Sequence, residues 1–245
     1  MRVHFQRDID TLNRQILTLS AEVESDVRTA IRAVEERNEM LAHQVIGRES
    51  QVDAAEVCVE EDCLKILALH QPVAADLRHV VAVLKINQDL ERIGDLAVHI
   101  AERGLFLCER PHIIIPFRLG EMADKTQAML KNVLDAFVNM NDVAAHEVCA
   151  ADKEIDEINR EVFHHARRAV IQKPALFESL LQVMHIARHL ERIADHATNM
   201  AEDLIYMIEG RIVRHTAEVA CKAENFPGAG MKSRTVGACS GLHVG

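Results

Sequence analysis

Tryptophan is absent, tyrosine occurs once, and aromatic residues make up only 3% of the 245-residue chain. Alanine, leucine, isoleucine, valine and glutamate dominate instead, a mixture suited to long helices packed through aliphatic side chains. No apolar run approaches the roughly 20 residues needed to span a bilayer, so no direct membrane insertion is expected. The start, Met1 to Asp8, lacks the apolar stretch of a signal peptide. The six cysteines form no C-x-x-C pair and no zinc-finger spacing. Reduced thiols in a cytoplasmic protein are the expectation. Positive charge is also short: 28 Lys and Arg face 38 Asp and Glu, for a formal charge of −10. That balance argues against holding nucleic acid or anionic lipid on a general basic surface. No P-loop, nucleophile elbow or Gly-rich dinucleotide turn is present, which argues against a catalyst.

What is present is a repeat. Glu91-Arg-Ile-Gly-Asp95 returns one hundred residues later as Glu191-Arg-Ile-Ala-Asp195. The match continues without a gap through Leu90 and Leu190, Ala97 and Ala197, Ala101 and Ala201. Upstream, Leu119, Met122, Met129, Val133 and Phe137 track Ile9, Leu12, Leu19, Val23 and Val27 at an offset of 110. Between these, Asn141 mirrors Asn38 and Ala145-His146 mirrors Ala42-His43, both at an offset of 103. Such self-similarity marks an internal duplication.

Each copy reads as three helices. Apolar residues at spacings of three and four predict a helix over residues 4–37. Asn38 offers a cap for a second helix over 39–70. Pro72 suits the first turn of a third, running to Cys108, and Pro174 opens its counterpart. Short connections make sequential helices antiparallel. The expected fold is therefore all-α: two tandem three-helix bundles, at 1–110 and 111–210. Pro111 and Pro116 bracket Ile113-Ile114-Ile115 as an extended connector. Residues 211–245 hold half of the ten glycines in their last eighteen positions and read as a disordered tail.

The repeat carries chemistry. Glu91 with Asp95, and Glu191 with Asp195, stack one turn apart on their helices. The second helix of each copy bears its own pair at matched positions, Glu49 with Asp53 and Asp152 with Asp156. If the second and third helices are neighbours, four carboxylates converge in each half. Unneutralised, they repel and some must hold protons at raised pKa. A hard multivalent cation removes the conflict, and all-oxygen ligation favours Mg²⁺, Ca²⁺, Mn²⁺ or iron over copper or zinc. Most i,i+4 acid pairs are simply a solvated helix face; recurrence on two helices in two halves is what points to metal. Arg92 and Arg192 are expected to bridge neighbouring acids. His43 and His146 are read as structural.

These residues resemble the PhoU family. The likeness covers roughly residues 2–210 and rests on the Met1-Arg-x-x-Phe5 start, on Leu69-x-x-Pro72-x-x-x-Asp76-Leu-Arg78, and on the duplicated Leu-Glu-Arg-Ile segment. It implies a cytoplasmic, often dimeric protein, recruited peripherally to the inner membrane through protein partners. It further implies a metal-binding negative regulator of phosphate uptake and starvation signalling. That role links the ATPase subunit of a phosphate ABC transporter to a sensor histidine kinase. Carried over, it implicates Glu49, Asp53, Glu91 and Asp95, then Asp152, Asp156, Glu191 and Asp195, as metal ligands for Mg, Mn or Fe. The second half departs from the pattern after its proline, with Phe177-Glu-Ser-Leu where the first has Asp76-Leu-Arg.

Two other functions fit the residues less well. A ferritin-like di-metal oxidase or metal-storage bundle needs Glu-x-x-His on two helices. Glu161 with His164 supplies one, but the first half has Cys58 and Glu61 at the equivalent positions. A phosphotransfer bundle would use an exposed histidine such as His189; the other copy has Asp89 there, and no ATP-binding segment is present.

Overall fold

The computed structural model describes residues 2–111 and 118–213, and no strand occurs among them. Seven helices follow one another. In the first half these are α1 (Arg2–Glu35), α2 (Glu39–Ile46), α3 (Glu49–His70) and α4 (Ala74–Cys108). In the second they are α5 (Leu119–Asn139), α6 (Asp142–Gln172) and α7 (Phe177–Glu209), the last entered through a 3₁₀ turn at Pro174–Leu176. Both halves lie in one compact unit, Met1–Ile212. The expected connector at Ile113-Ile114-Ile115 and the tail from residue 214 onward fall outside the described residues.

The caps are those the repeat predicts. The Asn38 side chain accepts from the Leu41 amide and Asn141 from the Ala144 amide, each closing one of the free N–H groups that open a helix. The residue before each asparagine, Arg37 and Met140, sits at φ 50°, the left-handed turn that ends the preceding helix.

Two expectations fail locally. The sequence predicts an unbroken helix over 39–70, but the chain breaks at Gly47 and Arg48. There the bonding tightens, Arg48 N–H donating to Val45 and Gln51 N–H to Arg48, before α3 begins. Glycine is a poor helix former, and the matched Ala150-Ala151 stay helical within α6. Pro72 likewise lies in the loop before α4 rather than in its first turn, with Gln71 and Ala74 at positive φ on either side.

Within the first half α1, α3 and α4 pack together, and α5, α6 and α7 do so in the second. Leu12, Ile16 and Leu19 of α1 and Ile86, Leu90, Ile93 and Ile100 of α4 are fully buried, and the two helices pack on each other. Each such side chain contributes roughly 1.5–3 kcal/mol through burial. The halves are joined by α4 lying along α7 and by a smaller contact between α1 and α5.

Candidate functional site

Helix α3 packs against α4 and α6 against α7, which brings Asp53 within electrostatic reach of Glu91 and both Asp152 and Asp156 within reach of Asp195. In the first half Gly94 permits the approach: a Cβ there would lie 3.1 Å from Val52 Cγ1. The crevice that Gly94 lines is also lined by Glu49, Asp53 and Asp95, together with Asp26 of α1. Glu91 stands one turn before Asp95. Arg92 reaches both, at 3.2 Å from Glu91 and 3.8 Å from Asp95, as expected for a bridging guanidinium. Burial pushes the Glu91 carboxyl up, and the charges of Asp95 and Asp53 push it further.

The second half shows stronger mutual repulsion. Burial raises Asp152 to about 6, helped by Asp195 and Asp156. The Thr198 hydroxyl pulls Asp152 the other way, although its geometry falls short of a hydrogen bond. Asp195 is raised by burial and then by Asp156; Glu191 is raised by burial and then by Asp195, with Asp156 and Asp152 adding to it. Glu191 accepts from Arg188 at 2.9 Å through Oε1, so Arg188 holds the acid expected of Arg192. Its other oxygen, Oε2, is buried without a partner.

The donor chemistry therefore fits a hard cation: oxygen only, mutually repelling, with one carboxylate oxygen left over. The side chains are not preset around a point, however. Among the described residues no three His, Cys, Asp or Glu are arranged to hold a metal ion.

Two residues of the first-half site escape the repeat. Asp26 is 5% exposed and lies 3.0 Å from Arg48, which the break after α2 delivers. Its carboxyl is nevertheless raised, burial outweighing the guanidinium. The signal was present: Asp26 occupies a core position of the stripe Leu19, Val23, Asp26, Ala30, Ala33, all buried. Glu56, one turn beyond Asp53, is also raised by burial and by Glu60, Glu91 and Asp53. It accepts from the buried Asn87 at 3.0 Å.

None of the nearby histidines joins the acids. His196 turns to Asp89 of α4, at 2.8 Å, and His185, His189 and His99 stack across the α4–α7 seam. His189 is half-buried rather than exposed, and burial together with His99 and Arg103 lowers it to about 4. His146 pairs with Glu209 at 3.3 Å across the α6–α7 ends, a structural contact. Glu161 and His164 lie on the exposed face of α6, Glu161 held by Arg118 at 3.2 Å, so this pair lines no buried di-metal centre.

Comparison with known proteins agrees with the duplication. The family model described as the PhoU domain matches twice, over residues 16–104 and 119–204. The phosphate-specific transport system accessory protein PhoU homolog of Clostridium acetobutylicum is 31% identical, the alignment covering 85% of this chain and 96% of that protein. Its counterpart in Pseudomonas aeruginosa is 32% identical over 90% of this chain and 91% of the relative. The crystal structure of PhoU from Pseudomonas aeruginosa superposes with a TM-score of 0.82 at 31% identity, over 84% of this chain and all of that one. The phosphate transport system regulatory protein PhoU from Streptococcus pneumoniae gives 0.76 at 26% identity, over 85% and 99%. A double match, at this identity and over this length, means that the chain belongs to the PhoU family, whose members are regulatory accessory proteins rather than enzymes.

Proposed function

We propose that this chain is a metal-binding adaptor that restrains the phosphate-starvation response while phosphate is plentiful. In this reading it links the ATPase subunit of a phosphate ABC transporter to a sensor histidine kinase. The relatives are named as accessory proteins of phosphate-specific transport, which supports the transporter side. No helix among the described residues is long and apolar enough to cross a membrane, so contact with the transporter would run through protein surfaces. A homodimer is part of the same reading.

The observation that carries the chemistry is the convergence of acids on facing helices in both halves. Mg²⁺, Mn²⁺ or iron would be held by Glu49, Asp53, Glu91 and Asp95, and by Asp152, Asp156, Glu191 and Asp195. A bound cation would neutralise each set and clamp α3 to α4 in the first half and α6 to α7 in the second. The regulatory half of the proposal is tested by capture from membranes containing the transporter and kinase, at high and low phosphate. Recovery of both partners, changing with phosphate, is expected; recovery of neither at any phosphate level would end the adaptor reading. The metal half is tested separately, by metal content after purification. Ions should be present in the native chain and absent once all eight acids are changed to Ala.

A further inference from the structure

The α4–α7 seam joins the two halves, and its two ends are chemically opposite. At one end Lys85 Nζ lies 3.0 Å from Asp203 Oδ1, and His196 Nδ1 lies 2.8 Å from Asp89 Oδ1. Each base there has its acid. The one-hundred-residue repeat maps Lys85, Asp89 and Asp203 onto His185, His189 and Arg103 at the other end. Both acids have become bases.

That second end holds a stack of imidazoles. The His189 ring lies 5.4 Å from His99 of α4 and 6.4 Å from His185, centroid to centroid. Arg103 and Arg192 add positive charge beside it. Two nitrogens in the cluster are buried without a partner, Nδ1 of His189 and Nε of Arg103. Glu102 touches the edge, reaching only a terminal nitrogen of Arg103 at 3.7 Å while itself 47% exposed. Glu191, two residues along α7, accepts from Arg188 through Oε1 and has its Oε2 without a partner.

A guanidinium N–H buried without an acceptor is unfavourable, and cationic neighbours make it worse. An anion with several oxygens cures both defects at once. The Arg103 fork presents N–H groups to two oxygens, and imidazole nitrogens supply further donors. We propose that His99, His185, His189 and Arg103 form a binding site for a phosphate-type oxyanion. The source is either free inorganic phosphate or the terminal phosphoryl group of a small molecule. The site uses residues distinct from the eight carboxylates, so it stands or falls apart from the metal reading.

The test uses the full chain, stripped of metal with a chelator and isotope-labelled at histidine. Inorganic phosphate and, separately, adenosine monophosphate are titrated to millimolar concentration while histidine resonances are followed by NMR. The resonances of His99, His185 and His189 should shift saturably while those of His4 and His43 stay put. Saturation by inorganic phosphate assigns the free ion as ligand; saturation by the nucleotide alone assigns the phosphoryl group. Arg103→Gln should weaken binding by about tenfold, the equivalent of one charge-assisted contact, with helical content unchanged. His189→Gln is the second variant, should the first lose structure. No saturable shift with either probe overturns the proposal. So does binding that is unaffected by both variants, or that appears only after metal is restored and disappears in Glu191→Ala.

Discussion

Arg48 places its guanidinium 3.0 Å from the carboxylate of Asp26, a buried acid in the middle of the α1 core stripe. The pair exists only in the first half; the matched positions in the second are Ala136 and Ala151. Removing Arg48 would leave a charge buried beside Glu49, Asp53 and Asp95 with no cation near it. Arg48→Met should therefore destabilise the protein by about 2–4 kcal/mol, the lower end reflecting a guanidinium that is 28% exposed. Adding Asp26→Asn should return most of that loss. Urea unfolding of the two variants checks it; a single variant within about 0.5 kcal/mol of wild type would mean the pair holds nothing.

The second-half acids predict an unusual response to pH in metal-free protein. Asp152 rises from 3.8 to about 6 on folding, and Glu191 and Asp195 rise with it. A raised carboxyl makes the native state the better proton binder. Its contribution is complete below the unfolded pKa and disappears as pH climbs through the folded value. His189, lowered from 6.5 to about 4, acts oppositely: its contribution is present above 6.5 and is lost as pH falls. The readable quantity is therefore the difference between wild type and Asp152→Asn, which removes the charge at nearly constant shape. The variant should gain on the order of 1–2 kcal/mol relative to wild type between about pH 4 and 6. A flat difference across that window would show the acids to be solvated independently.

Local signals carried most of the fold. Asn38 and Asn141 announce helix starts because a cap needs only its own side chain and the amide three residues on. The acid pairs could be expected to converge only on the condition that short connections made their helices neighbours, which α3 with α4 and α6 with α7 are. The break at Gly47 was not legible from glycine alone, since Gly94 and Gly104 lie inside an unbroken α4. It accompanies a contact, Arg48 with Asp26, between residues on different helices. The histidine stack was invisible for a related reason. It pairs His99 with His189 across the seam, and no repeat offset aligns those two residues.

Gly94 sets how closely α3 and α4 approach, and with that the separation of their acids. Its counterpart, Ala194, already carries a methyl group. At Gly94 a methyl would stand 3.1 Å from Val52 Cγ1, close enough that Val52 must yield slightly. Gly94→Ala should be near neutral, the helix-propensity gain of up to about 1 kcal/mol offsetting the crowding. Gly94→Leu cannot be absorbed by a rotamer change and should cost about 1–3 kcal/mol through overpacking. Thermal unfolding of both separates the cases: equal midpoints would show that the helices are not in contact there.

Cation binding should be unequal between the halves. The first-half crevice already has Arg48 on Asp26 and Arg92 on Glu91 and Asp95, so part of its charge is compensated within the chain. The second has Arg188 on Glu191, leaves Glu191 Oε2 unpartnered, and holds Asp152 near a pKa of 6. A cation therefore relieves more repulsion in the second set. Mn²⁺ at a hundredfold excess over its dissociation constant would stabilise the fold by about 2.7 kcal/mol per site. Glu191→Gln with Asp195→Asn should abolish more of the Mn²⁺-induced rise in unfolding midpoint than Glu91→Gln with Asp95→Asn. Their metal-free stabilities should move the other way, the second-half variant gaining more because it sheds more repulsion. Equal losses of Mn²⁺ response would show that Arg48 and Arg92 are displaced on binding. No Mn²⁺ response in the native chain would leave the acids as a repelling cluster with no ion to serve.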